Sequence, residues 1–130
     1  MAEKAKILIV DDERDLVDAY VRLLERAGHR CVGAFGAHEA IEMIDAETPD
    51  LVLTDLSLPD SNGLEVIRHL RAKSAIIPII VMSGHNTQGM NEAARAAGAN
   101  LCLLKPVSIA ELKRVIGDAL KRYYLATRPT

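Results

Sequence analysis

At 130 residues and 49% hydrophobic content, the chain is long enough to form one globular domain with a substantial core. A formal net charge of −2 gives no electrostatic footprint for nucleic acid, and no apolar run reaches the length that spans a membrane. Met1-Ala2-Glu3-Lys4 leads straight into a strand-like run without a signal-peptide core, so a cytoplasmic location is expected. Cys31 and Cys102 lie in separate apolar runs and read as buried free thiols suited to a reducing compartment.

Lys6 to Val10 is apolar throughout, as a parallel strand covered on both faces should be, and it runs into Asp11-Asp12. Asp12 is placed to cap the next helix, with Asp15 in its first turn favouring the positive helix end. Leu16, Val17, Tyr20, Val21 and Leu24 recur at helical spacing, and Gly28 ends that helix. Arg30 to Phe35 predicts a weaker second strand at a sheet edge. His38 to Ala46 predicts a short helix with Ile41 and Ile44 inward, and Thr48-Pro49-Asp50 breaks the chain. Asp50 to Thr54 is a third strand, closed by Asp55, and the loop from Leu56 follows it.

Gly63 to Arg71 predicts a third helix burying Leu64, Ile67 and Leu70. Pro78 introduces the strand Ile79 to Met82, which ends in Ser83-Gly84. Gly84-His85-Asn86 opens a fourth helix reaching Ala97; its face is mostly alanine with Met90, so it is expected to be the most mobile helix. Leu101 to Leu104 is a fifth strand running into Lys105-Pro106. Ser108 and Glu111 form a capping box for a last helix, with Leu112, Val115, Ile116, Ala119, Leu120 and Tyr123 inward. Residues 1–125 read as one domain and residues 126–130 as a tail or the start of a linker.

Alternating strands and helices with short loops specify a parallel sheet covered on both faces. The expected class is therefore α/β, a flavodoxin-like doubly wound five-stranded parallel sheet of order 2-1-3-4-5 with five helices. Its switch point lies between strands one and three, which places a crevice between Asp11-Asp12 and Asp55. The two cysteines fall on opposite edge strands, too far apart to pair.

Three carboxylates crowded at one strand edge repel each other unless they share a partner. A divalent cation with oxygen ligands resolves this, and Mg²⁺ (or Mn²⁺) takes one or two carboxylates while keeping several waters. Asp12, Asp55 and the backbone carbonyl of Ser57 would supply the protein's ligands, with Asp11 acting through a coordinated water. Asp55 can attack phosphorus as a nucleophile. The Lys105 ammonium and the Ser83 hydroxyl would then meet the phosphoryl oxygens. Gly84 leaves the approach to Asp55 open. Taken singly, Asp11, Asp12 and Ser83 also read as helix caps and Lys105 as a surface lysine; their assembly at four strand ends favours the site. The Lys105-Pro106 peptide is expected to be cis, which aims the lysine back over the crevice.

These residues resemble the receiver domain of bacterial two-component response regulators (CheY-like), over about Lys6 to Tyr123. The resemblance rests on Asp11-Asp12, Asp55-Leu56-Ser57-Leu58-Pro59 with Gly63 beyond, Val81-Met82-Ser83-Gly84, and Lys105-Pro106. It implies that Asp55 is the phosphoacceptor, taking its phosphoryl group from a phosphohistidine of a sensor histidine kinase or phosphotransfer protein. Mg²⁺ dependence, slow self-catalysed dephosphorylation, and sensing of the phosphoryl group by Ser83 and Lys105 follow from the same resemblance. Such a domain is a signalling switch rather than an enzyme with a separate substrate. Ser57 and His85 occupy the positions that tune the lifetime of the phosphorylated state. The face made by the fourth helix, fifth strand and fifth helix would carry the output to an unknown partner or downstream domain, and it allows a homodimer. Direct contact with nucleic acid or membrane is not expected.

One position departs from the family. An aromatic residue commonly stands three positions before the lysine as a rotamer switch, and here Cys102 stands there, with Val107 after the proline. A shift of the alanine-faced fourth helix is the expected alternative relay. Three other readings fit less well. A phosphatase of the haloacid-dehalogenase type would need a second acid where Ser57 stands. A phosphorylation-independent interaction module would not require Asp11, Asp12, Asp55, Ser83 and Lys105 together. A flavin-binding domain would find few aromatics and an acidic crevice that repels phosphate. Lys113, Arg114, Lys121 and Arg122 read as a solvated helix face.

Overall fold

Each of the five expected strand runs becomes a strand in the computed structural model, which describes residues 5–60, 63–84 and 88–127. The elements are β1 (Lys6–Val10), α1 (Arg14–Arg26), β2 (Arg30–Ala34), α2 (Ala37–Ala46), β3 (Leu51–Asp55), α3 (Leu64–Lys73), β4 (Ile79–Ser83), α4 (Gln88–Ala97), β5 (Leu101–Leu104) and α5 (Ile109–Thr127). All strand pairings are parallel and the order is β2-β1-β3-β4-β5, as expected. β3 and β4 are buried along their whole length, so they carry no polar residue before their C-terminal ends except Thr54.

Alternation along the strands divides the core into two layers. Leu8, Val10, Val52 and Val81 face Ile44, Ile67, Leu70 and Ala94 of α2, α3 and α4. Ile7, Ile9, Leu53, Ile80 and Met82 face Val17 and Leu24 of α1 and Leu112, Ile116 and Leu120 of α5. Fully burying each aliphatic side chain contributes about 1.5–3 kcal/mol, which makes these layers the main source of stability. Among the described residues no helix is long and apolar enough to cross a membrane.

Several local expectations shift. Asp12 does not cap α1: the N-cap is Glu13, whose amide is held instead by Asp11 Oδ1 at 3.0 Å, and Asp12 is exposed. The helix starts one residue later because the buried Asp11 carboxylate makes the turn. α3 buries Val66 with Ile67 and Leu70, whereas Leu64 is half-buried; on α2, Ile44 is buried and Ile41 only partly so. The two cysteines are free and on opposite edge strands, but partly rather than fully buried. Tyr123 leaves the α5 stripe and packs against the opposite layer, with a hydrogen bond to Asp50. His85 and Asn86, expected to open α4, lie outside the described residues.

The N-terminal edge of the sheet is tied by Arg71. Its guanidinium donates to the carbonyls of Gly98 (2.9 Å), Ser74 (3.2 Å) and Ile77 (2.6 Å) and to Asn100 Oδ1 (2.8 Å). Asn100 Oδ1 also accepts from the Ile79 amide at 2.8 Å. The end of α3 and the turn after α4 are thereby fixed to one another at the edge opposite the acids.

Candidate functional site

Strand register brings the polar residues to one edge. Asp55 ends β3 opposite Met82 and Ser83 ends β4 opposite Leu104, while Asp11 and Lys105 follow β1 and β5 directly. Lys105 donates its amide to the Ser83 carbonyl at 2.9 Å, and the Lys105-Pro106 peptide is cis. Asp11 is fully buried; Asp55 and Ser83 are 7% and 5% exposed.

The Lys105 ammonium bridges the two buried acids, 2.7 Å from Asp11 Oδ2 and 2.9 Å from Asp55 Oδ2, with Glu13 Oε1 at 3.9 Å. Each acid gives its other oxygen to a backbone amide: Asp11 Oδ1 to Glu13 and Asp55 Oδ1 to Ser57, both at 3.0 Å. Burial disfavours the ammonium, but hydrogen bonds to Asp11 and Asp55 and the charges of both outweigh it, so the Lys105 pKa is raised. The lysine is therefore charged throughout the physiological range.

Asp11, Asp12 and Asp55 each present a carboxylate oxygen, all within 4.8 Å of one another. Three carboxylates against one ammonium leave negative charge in excess at this point. Hard oxygen donors with excess negative charge fit Mg²⁺ or Mn²⁺. The Ser57 amide is turned to Asp55 and its side chain is exposed. A Cβ placed on Gly84 meets nothing within 4 Å, so the space beside Ser83 is open. His85 lies outside the described residues. Cys102 is half-buried on β5, paired with Val81, and packs against the layer beneath α4. Burial raises its thiol pKa, slightly opposed by Arg95, which leaves it a protonated packing group.

Three supporting residues were not assigned a role from the sequence. Thr54 Oγ1 donates to the Asp55 carbonyl at 2.9 Å in a buried setting. A Cβ on Gly63 would overlap that same carbonyl and press on Leu56 Cα, so a glycine must stand there for the loop to close, with the Gly63 amide on the Leu56 carbonyl at 2.8 Å. Asp60 leaves the loop to bind the first amides of α2, Ala37 at 2.8 Å and His38 at 3.0 Å. Only the glycine had a signal in the sequence, as the end of the Asp55 loop.

Residues 7–117 match the family model of the response regulator receiver domain. The chain is 37% identical over 123 residues to the KDP operon transcriptional regulatory protein KdpE of Escherichia coli (strain K12), covering 95% of this chain and 54% of that protein. It is 33% identical over 120 residues to the phosphoglycerate transport system transcriptional regulatory protein PgtA of Salmonella typhimurium, covering 92% of this chain and 29% of that protein. The chain thus spans about a third to a half of the length of these relatives. The crystal structure of a response regulator receiver domain protein (CheY-like) from Methanospirillum hungatei JF-1 superposes with a TM-score of 0.92 at 27% identity, covering 95% of this chain and 99% of that one. With the sheet order, the paired acids and the lysine already in place, the chain belongs to the receiver-domain family of two-component response regulators.

Proposed function

We propose that Asp55 is the phosphoacceptor of a two-component switch. The observation that carries this reading is the single buried carboxylate at the end of β3, held by the Ser57 amide and the Lys105 ammonium beside Asp11 and Asp12. An Asp55 carboxylate oxygen attacks the phosphorus of a phosphohistidine on a sensor histidine kinase or phosphotransfer protein. The P–N bond breaks, its electron pair returns to the imidazole, and an aspartyl phosphate forms.

Asp12, Asp55 and the Ser57 carbonyl, with Asp11 through a water, would hold Mg²⁺ or Mn²⁺. The cation supplies charge neutralisation for the phosphoryl oxygens. Lys105 offers its ammonium to a second phosphoryl oxygen and Ser83 its hydroxyl to a third. Gly84 keeps the approach open. Water later attacks phosphorus, the bond to Asp55 breaks, and inorganic phosphate leaves. Ser57 and His85 set how fast that happens, so Ser57→Ala and His85→Ala alter the lifetime of the phosphorylated state without preventing its formation.

The switch acts in the cytoplasm and reads out through the face of α4, β5 and α5, toward a partner, a linked output domain or a second copy of the chain. Cys102 stands on β5 at the position where the family resemblance places an aromatic. The decisive experiment is the intact mass of wild type and Asp55→Asn after incubation with Mg²⁺ and acetyl phosphate. A Mg²⁺-dependent gain of one phosphoryl group in wild type alone supports the reading. No gain with Mg²⁺ bound would leave a phosphorylation-independent interaction module.

A further inference from the structure

The loop after Asp55 is anchored on a neighbouring helix. Asp60 Oδ1 accepts from the Ala37 amide at 2.8 Å, Oδ2 accepts from the His38 amide at 3.0 Å, and Oδ2 lies 3.1 Å from His38 Nδ1. These are the first amides of α2, whose own N-cap is Gly36 and offers no side chain. A Cβ on Gly36 would come within 3.0–3.2 Å of the Asp60 carboxylate, so the missing side chain leaves the room that Asp60 occupies. Glu39 closes the same helix end from within, accepting from the Phe35 amide at 2.8 Å. A helix cap ordinarily comes from the residue that precedes the helix. Here a carboxylate from 23 positions further along the chain supplies it.

The consequence falls on Ser57. Leu56 is pinned by the Gly63 amide at 2.8 Å, and Asp60 is pinned on α2. Ser57 lies between these two anchors, with its amide on Asp55 Oδ1 at 3.0 Å. A short segment fixed at both ends holds its middle residue far better than one fixed at a single end.

We infer that Asp60, by capping α2 from the acceptor loop, is a positioning residue that holds Ser57 beside Asp55 and thereby sets the divalent-cation affinity of the site. The inference deepens the reading of Asp55 as phosphoacceptor and rests on it for its functional meaning. Both Asp60 oxygens are engaged on the amides of α2, so it acts through the loop, as outer partners of metal ligands do.

The test compares wild type with Asp60→Ala, Asp60→Asn and Glu39→Ala. Glu39→Ala frays the same helix end without touching the loop. Two quantities are read: Mg²⁺ affinity by calorimetric titration, and amide exchange of Leu56 to Leu58 in the metal-free protein. Asp60→Ala is expected to weaken Mg²⁺ binding about tenfold and to speed exchange of the Ser57 amide. Glu39→Ala should leave both unchanged, and Asp60→Asn, which keeps one accepting oxygen, should recover part of each. Equal effects from Asp60→Ala and Glu39→Ala would reduce Asp60 to an ordinary cap and overturn the inference. So would unchanged affinity and exchange in Asp60→Ala. If Asp60→Ala does not fold, Asp60→Asn against Glu39→Ala decides by the same criteria. Failure of wild type to gain a phosphoryl group would sink the Asp55 reading instead, while exchange and Mg²⁺ affinity still judge Asp60.

Discussion

Lys105 and Asp11 form an ion pair at 2.7 Å, in which the carboxylate is fully buried and the lysine side chain is 16% exposed. The same ammonium reaches Asp55 at 2.9 Å. One ammonium therefore bridges two buried acids at the ends of β1 and β3 and leaves negative charge in excess. Such a pair contributes little net stability over apolar packing, but removing one partner is costly because the other charge stays buried.

Lys105→Met should accordingly destabilise the metal-free protein by about 3 kcal/mol, at the lower end of the range for a broken buried pair. Saturating Mg²⁺ should recover much of that loss by supplying the missing positive charge. Urea unfolding with chelator and with Mg²⁺ checks this. An equal loss under both conditions would show that the acids and the cation are not coupled.

Gly63 and Gly84 should behave oppositely. Alanine at 63 forces a Cβ into the Asp55 carbonyl, while alanine at 84 meets no protein atom within 4 Å. Gly63→Ala should cost about 1–3 kcal/mol, as overpacking does. Gly84→Ala should stay within about 0.5 kcal/mol of wild type and yet slow the mass gain from acetyl phosphate. Wild-type kinetics in Gly84→Ala would show that the open space there is not the approach to Asp55.

The sheet and its acids were legible because local signals and topology agree. Val10, Thr54, Ser83 and Leu104 stand at the ends of short apolar runs, and parallel register aligns those ends at one edge. What escaped is set by contacts distant in sequence, except at Asp12, where the deciding bond is local but depends on which way a buried side chain turns. Asp60 looked like a loop residue because its partners Ala37 and His38 lie on another element. Asp12 looked like a helix cap because nothing local shows that the Asp11 side chain reaches the Glu13 amide first. Tyr123 has the spacing of the α5 stripe, and only the tertiary position of Asp50 draws it to the other layer.

Burial, helped by the charge of Glu25, pushes the Cys31 thiol from an ordinary 9.0 up to about 12. Between those values the folded protein keeps a proton that the unfolded chain has lost, so stability falls as pH rises through this window and is unaffected below it. Cys31→Ala should make the alkaline decline shallower, whatever its effect at neutral pH. Unfolding free energy from pH 7 to 11 measures the slope; an unchanged slope would mean that the thiol ionises freely in the fold. Alkylation of wild type at pH 8 should be slow at both cysteines, since burial raises Cys102 as well.

Signal relay in this chain cannot use an aromatic at Cys102, and the packing of α4 offers another route. Ala94 is the only fully buried side chain described on α4. An open recess of about 220 Å³ lies beside its first half, lined by Leu56, Leu64, Gly89, Met90 and Ala93. Leu56 follows Asp55 directly, so this space adjoins the acceptor loop. The far end of the helix is held by Arg71, through the Gly98 carbonyl at 2.9 Å. A helix tied at its C-terminal end, with open space beside its first half, can swing without breaking its core contacts. Beryllofluoride with Mg²⁺, as a phosphoryl mimic, should change amide protection about tenfold or more over residues 89–93 and leave Gly98 nearly unchanged, a shift of about 1.4 kcal/mol in local opening. Ala93→Leu should fill the recess and blunt that response. Unchanged protection along α4 in wild type would sink this relay and move attention to β5 and α5.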